Sequence, residues 1–280
     1  MYAIVHGIEG MVDLRYLMEH EEETLRLEMK TDLANVQRQA VWAGLRPGMR
    51  VADLACGPGK TTRLFHDIVA PDGYVLGVDG SSERINHARR TYGPGGPDYV
   101  CRNLLDPLND LGAFDFVWVR FFLEYHRDKA FSIVKNISRL LAPGGVLCLV
   151  DLDYNCLNHY GIPARLQRTI VRVVHLLETT QNFDARIGIK LYSFLYDLGL
   201  DGIDVMMEPH HLIYGELGAV DDFNWTQKVA VAVKRCERLL IDYENGYDEF
   251  YEEFKQAFGD PRRFTYTPQI CCRGTRPLSA

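Results

Sequence analysis

A doubly wound α/β fold, a mainly parallel sheet with helices on both faces, is predicted for this 280-residue chain by three observations. The apolar run Val51–Leu54 breaks into Ala55-Cys56-Gly57-Pro58-Gly59 and then enters a helical pattern at Lys60, so a buried strand meets a glycine loop and a helix start. A second apolar run, Tyr74–Val78, ends in an acid, Asp79. Strand-like and helix-like segments then alternate as far as Asp151, which is the signature of a parallel sheet.

The elements follow in order. Residues 13–44 read as helices, from Leu14, Leu17, Met18, Leu25 and Met29 and then Leu33, Val36, Ala40 and Val41 at helical spacing. Leu45-Arg46-Pro47-Gly48 turns the chain into strand one, 50–55, and its helix, 59–68. Strand two, 74–79, precedes a helix capped by Ser81 or Ser82, with Glu83 in its first turn. Strand three is placed at 98–102 and strand four at 115–120, with a helix near 128–141; strand five is at 145–151. Helices are then predicted at 164–178 and 186–198, strand six near 202–207, helices at 221–243 and 248–258, and strand seven near 270–273. The connection between strands six and seven far exceeds a hairpin loop. It reads, with 1–44 and 156–182, as a lid over the substrate side of the sheet. The expected division is a helical cap, 1–48, a nucleoside-binding core, 49–157, and a remainder, 158–280, with 221–258 inserted as lid.

Two strand ends with a glycine turn and an acid describe a nucleoside-binding crevice. A P-loop needs a glycine five residues before Gly59, where Leu54 stands, so phosphate binding of that type is disfavoured. A dinucleotide loop needs a third glycine where Thr62 stands; NAD therefore stays open but weak. S-adenosylmethionine carries no phosphate, and Asp53 before a short glycine turn suits it best.

At this point the chain resembles a class I S-adenosylmethionine-dependent methyltransferase, of the small-molecule type with a type 11/25-like domain. Asp53 to Gly59 follows that family's acid-x-Gly-x-Gly-x-Gly pattern, with Ala55 replacing the first glycine. Asp79 sits where the family's ribose acid sits, Phe114–Val119 resembles its fourth strand, and Leu140–Val150 resembles its fifth, entered through Pro143-Gly144-Gly145. The resemblance implies a seven-stranded Rossmann-like sheet, order 3-2-1-4-5-7-6, last strand antiparallel. It implies S-adenosylmethionine as cofactor and S-adenosylhomocysteine as product.

The expected cofactor residues are Asp53, Ala55, Cys56, Gly57, Gly59, Asp79, Gly80, Ser81, Asn103, Leu104 and Arg120. Asp53 would face the ligand's amino group through water, and Asp79 would pair with both ribose hydroxyls. Gly80 and Ser81 would lie beside adenine or ribose. Asn103 would accept from the adenine amine and Leu104 offer its backbone N–H, with Asp106 an alternative. Arg120 would lie beneath the methionine part, and Arg15, Tyr16 and Arg26 could close over its carboxylate. For catalysis the candidates are His126, whose ordinary pKa near 6.5 suits proton removal at neutral pH, and Asp151 at a strand's carboxyl end. Asp153, Tyr154, Asn155, His159 and Tyr160 follow closely. His210 and His211 are vicinal, so in an extended strand only one would face a pocket. Their spacing with His159 does not suit a metal, and none is expected.

Net charge is −7, with no lysine or arginine block, which argues against a nucleic-acid partner and for a small-molecule substrate. The seven cysteines lack C-x-x-C spacing and read as reduced thiols. No signal peptide pattern and no membrane span are seen, so a cytoplasmic protein is expected. The expected activity is methyl transfer to an O, N or C atom of a small molecule. An NAD-dependent oxidoreductase and a non-catalytic S-adenosylmethionine-binding protein are the alternatives, and a homodimer is left open.

Overall fold

The structure, a computed structural model, describes residues 27–28, 31–154, 158–234 and 237–278. The first full helix, α1 (Leu33–Ala43), opens on Asp32, whose carboxylate accepts from Ala34 N and Asn35 N, and closes on Gly44 at φ 108°. Then come β1 (Arg50–Leu54), α2 (Lys60–Val69), β2 (Tyr74–Asp79), α3 (Ser82–Tyr92), β3 (Asp98–Cys101), β4 (Phe114–Arg120), α4 (Ala130–Ile137) and β5 (Leu141–Leu152). The second half adds β6 (Asn158–Tyr160), α5 (Ala164–Thr180), α6 (Leu191–Asp197), β7 (Asp201–Tyr214), α7 (Ala219–Lys234), α8 (Gly246–Gly259) and β8 (Phe264–Thr275).

β1 to β5 pair in parallel in the order 3-2-1-4-5. β8 then runs antiparallel to β5 and carries β7 on its other side, giving 3-2-1-4-5-8-7. With β6 set aside, β7 and β8 are the sixth and seventh strands of the expected order. The short β6 was not expected. It pairs with residues 264–266 of β8, while β5 pairs with 269–275, so β6 prolongs the edge that β5 begins.

Three further differences have packing causes. Strands expected near 202–207 and 270–273 grow to 201–214 and 264–275 because they pair with each other beyond the end of β5. The helix expected at 186–198 starts as a 3₁₀ turn, Ile187–Lys190, where Gly188 lies against the β5 backbone; a Cβ there would stand 2.8 Å from the Leu152 carbonyl. The helix expected at 221–243 ends at Lys234, followed by a 3₁₀ turn, Glu237–Leu239, that lets Leu240 and Tyr243 turn into the helical core.

One face of the sheet is covered by α1 and α2, through Val36, Ala40, Phe65 and Val69 against Val51, Phe116 and Trp118. Trp118 is fully buried, with Phe65 edge-on at 5.4 Å, and a side chain of this kind contributes roughly 1.5–3 kcal/mol by leaving water. The other face is covered by α4 and α6. A separate apolar cluster joins α5, α7 and α8 above the prolonged strands, with Leu166, Phe183, Trp225, Phe250 and Phe254 inside it.

Candidate functional site

The site lies at the carboxyl ends of β1, β2 and β4. β1 ends in Asp53-Leu54, and the chain then bends through Ala55 (φ 58°), Gly57 (φ 57°) and Gly59 (φ 98°) into α2. Positive φ is costly for a residue with a Cβ, and Ala55 occupies that region where the expected pattern has glycine. Gly59 has a second reason: an added Cβ would meet Ala88 Cβ at 2.7 Å and Tyr99 Oη at 2.9 Å. It lets the loop close onto α3 and β3, and the Tyr99 hydroxyl donates to the Gly59 carbonyl at 3.1 Å.

Asp79 ties the loop to β2. Its Oδ2 accepts the Gly57 N–H at 2.9 Å, and its Oδ1 accepts the Ser81 N–H at 2.8 Å and Arg84 Nε at 3.3 Å. Ser81 in turn caps α3 through the Arg84 N–H. Gly80 leaves open space, since its Cβ would find nothing nearer than the Arg102 carbonyl at 3.9 Å. A carboxylate with about four acceptor positions, three of them filled, can take one hydroxyl as it stands and a second if Arg84 swings aside.

Asp53 is buried, and its Oδ2 accepts the Thr62 hydroxyl at 2.6 Å. Burial pushes its pKa up to about 7 against the opposing Thr62 bond; the Asp79 charge adds to the rise and Arg120 reduces it. Arg120 lies over the Phe121 ring at 4.1 Å, and its Nε is buried with no hydrogen-bond partner among the described residues. Burial lowers its pKa to about 10, although Asp53 and Asp32 pull it back up; it is cationic at neutral pH. Buried donors without acceptors are uncommon. With Asp53 near it and Asp79 and Gly80 at the end of the neighbouring strand, Arg120 makes a charge set whose chemistry fits the carboxylate, amino and hydroxyl groups of S-adenosylmethionine.

In the turn after β3, where adenine contacts were expected, Asn103 is exposed and its Oδ1 accepts the Leu105 N–H at 3.0 Å. Its oxygen is therefore already engaged in a turn, and its free amide hydrogens are what it presents. The Leu104 side chain is in the core, and only its backbone can serve a ligand. Cys56 is buried, donates its N–H to the Val78 carbonyl, and has its thiol pushed up by burial, so it packs rather than reacts.

The two expected catalytic residues are placed differently from the expectation. Asp151 is fully buried: Oδ2 accepts from Leu123 N and Glu124 N, and Oδ1 from Leu152 N. Oδ2 braces the turn after β4 and Oδ1 the end of β5, so both oxygens are engaged by backbone N–H groups; desolvation and the nearby Glu124 raise its pKa. His126 packs on Phe122 with ring centroids 4.4 Å apart. Burial, helped by Lys129, lowers its pKa to about 4, so the ring is neutral and a weaker base than its ordinary pKa suggests. Asp153, in contrast, keeps Oδ1 buried and without a hydrogen-bond partner among the described residues.

His210 and His211 do not alternate. The register shift between Pro209 and His211 breaks the two-residue period, so the rings lie 4.2 Å apart, His210 against Phe121 and His211 against Trp225. His159 shares a hydrogen bond with Thr265 on the helical side, and Tyr160 is exposed. Arg15, Tyr16, Arg26 and Asn155 lie outside the described residues. Among the described residues no three His, Cys, Asp or Glu side chains group to hold a metal, and no helix is long and apolar enough to cross a membrane. Sequence reasoning missed Tyr99 and Lys60, whose ammonium donates to the Glu28 and Thr31 carbonyls and holds the chain before α1 near the loop. No local pattern marks either, because both act across distant segments.

Residues 52–149 match the methyltransferase domain family Methyltransf_11. The chain carries a class I S-adenosylmethionine-dependent methyltransferase domain. A ubiquinone/menaquinone biosynthesis C-methyltransferase from Bordetella avium is 32% identical over 140 residues, 46% of this chain and 53% of that one. The chain thus spans about half the length of that curated relative. By fold, the chain is similar to a solved structure described as a methyltransferase from Bacillus halodurans, with TM-score 0.56 at 18% identity over 87% of this chain and 99% of the other. It is also similar to phosphoethanolamine N-methyltransferase 2 of Haemonchus contortus, solved with S-adenosylhomocysteine, with TM-score 0.56 at 15% identity over 95% and 61% of the two chains.

Proposed function

We propose that this chain transfers the methyl group of S-adenosylmethionine to an O, N or C atom of a small cytoplasmic molecule. The observation that carries the reading is the Asp79 carboxylate bound to the Gly57 N–H, with Asp53 and Arg120, whose Nε has no hydrogen-bond partner among the described residues, at the neighbouring strand ends. The free thiols among the described cysteines support a reducing compartment. The name of the Bordetella relative supports a carbon acceptor among the three.

When bound, the cofactor supplies an electrophilic methyl on a sulfonium. Asp79 holds the ribose diol, the ionised Asp53 faces the amino group, and the Arg120 guanidinium takes the carboxylate. Phe121 and His210 wall the end of β4 and exclude water. Asp153 Oδ1 takes the proton that the acceptor atom sheds. Holding acceptor and methyl in line supplies most of the rate.

Calorimetric titration with S-adenosylmethionine, S-adenosylhomocysteine and NAD tests this. Micromolar binding of the two adenosyl ligands without NAD is expected; NAD binding alone would replace methyl transfer with hydride transfer.

A further inference from the structure

Beyond the end of β5, strands β6, β8 and β7 form a three-stranded extension of the sheet. Side chains alternate between its faces. One face is covered: Ile213 enters the helical cluster, Thr265 is fully buried, and His211 meets Trp225. Among the described residues nothing covers the other face. Tyr160 is 77% exposed, Met207 68% and Tyr214 63%, with Leu212, Phe264 and Tyr266 exposed beside them. Tyr214 stacks on Phe264 at 6.2 Å and Phe264 tilts on Tyr266 at 6.1 Å, Tyr160 and Leu212 stand opposite Phe264 and Tyr266 in the ladders, and Met207, which pairs with Ile270 alongside the end of β5, continues the same side of β7 past the exposed Pro209.

These six side chains expose on the order of 700 Å² of largely apolar surface, above the roughly 300–600 Å² of the largest patch on a typical monomer. Two such patches face to face would bury about 1,400 Å², within the range of a stable interface. Charge separates the candidate occupants. An anionic bilayer attracts clusters of lysine and arginine, but β7 carries Asp201, Asp204 and Glu208, Arg262 is paired with Asp260, and the chain has net charge −7. The edge of β7 is also poor for strand addition. Pro209 has no N–H to donate, and the ladder shifts register between Pro209 and His211. A flat aromatic face, apolar and self-matching, fits another copy of itself.

We propose that the face carrying Tyr160, Met207, Leu212, Tyr214, Phe264 and Tyr266 is the interface of a twofold homodimer of this chain. The proposal does not depend on the methyl-transfer reading.

Sedimentation velocity of the full chain tests it. The wild type is expected as a dimer at on the order of 10 µM, and Met207→Glu/Tyr214→Glu as a monomer with unchanged circular dichroism and melting temperature. Tyr160→Asp, on a different strand and more exposed, is a second probe should the first variant unfold. A wild type that stays monomeric at tenfold higher concentration would overturn the proposal. A dimer untouched by either variant would do the same, and so would a monomer that floats with phosphatidylcholine vesicles.

Discussion

The Asp79 carboxylate accepts the Gly57 N–H at 2.9 Å, a bond between the end of β2 and the loop that follows β1. A single acid thereby shapes the glycine loop and keeps one acceptor position open to the crevice. Removing it therefore acts twice. Asp79→Ala is expected to weaken S-adenosylmethionine binding by about 10- to 100-fold, the worth of one or two charge-assisted hydrogen bonds. Calorimetry beside a circular dichroism spectrum reads this; unchanged affinity in a folded variant would remove Asp79 from the site.

Gly59 and Gly80 separate packing from binding. At Gly59 a Cβ collides with Ala88 and Tyr99 at a φ of 98°, so Gly59→Ala is expected to cost about 2–4 kcal/mol in a denaturant titration. At Gly80 the space is open. Gly80→Ala is expected to change stability by less than about 0.5 kcal/mol while lowering cofactor affinity several-fold. Equal destabilisation by the two would contradict this division.

Asp53 makes both stability and binding depend on pH. Its folded pKa, about 7, lies above the ordinary 3.8. The folded state thus holds a proton that the unfolded state has released. This penalty is absent below about 4, grows with rising pH and is complete above about 7, reaching a few kcal/mol. The ligand-free protein is expected to melt higher at pH 5.5 than at pH 8 from this group. Cofactor affinity runs the other way, because an ammonium prefers the ionised carboxylate and binds more tightly as pH rises through about 7. Asp53→Asn should flatten both profiles; profiles unaltered by that substitution would assign the pH dependence elsewhere.

Asp151 and Asp153 divide support from chemistry. Asp151→Asn replaces one acceptor oxygen with a donor beside backbone N–H groups and is expected to cost about 2–3 kcal/mol of stability. Asp153→Asn is expected to leave stability and cofactor affinity nearly unchanged and to lower turnover by about 100-fold. Once a substrate is in hand, full turnover in the Asp153 variant would exclude it as the base.

Much of the fold is legible along the chain because its signals are local. Apolar runs ending at Asp53 and Asp79, the glycine turn between Leu54 and Lys60, and the Ser81 cap each lie within a few residues, and each specifies its backbone through sterics and hydrogen bonding. They determined the parallel half of the sheet and placed Asp53, Gly57, Asp79 and Arg120 at neighbouring strand ends. Tertiary structure alone decided that Asp151 is spent on backbone N–H groups, that His126 is neutral, that Gly59 exists for Tyr99, and that a bulge at Pro209 brings His210 and His211 together. Those outcomes depend on desolvation and, for Asp151, Gly59 and His210, on partners 27 to 89 residues away, and no local pattern encodes which oxygen will face a donor or which ring will leave water.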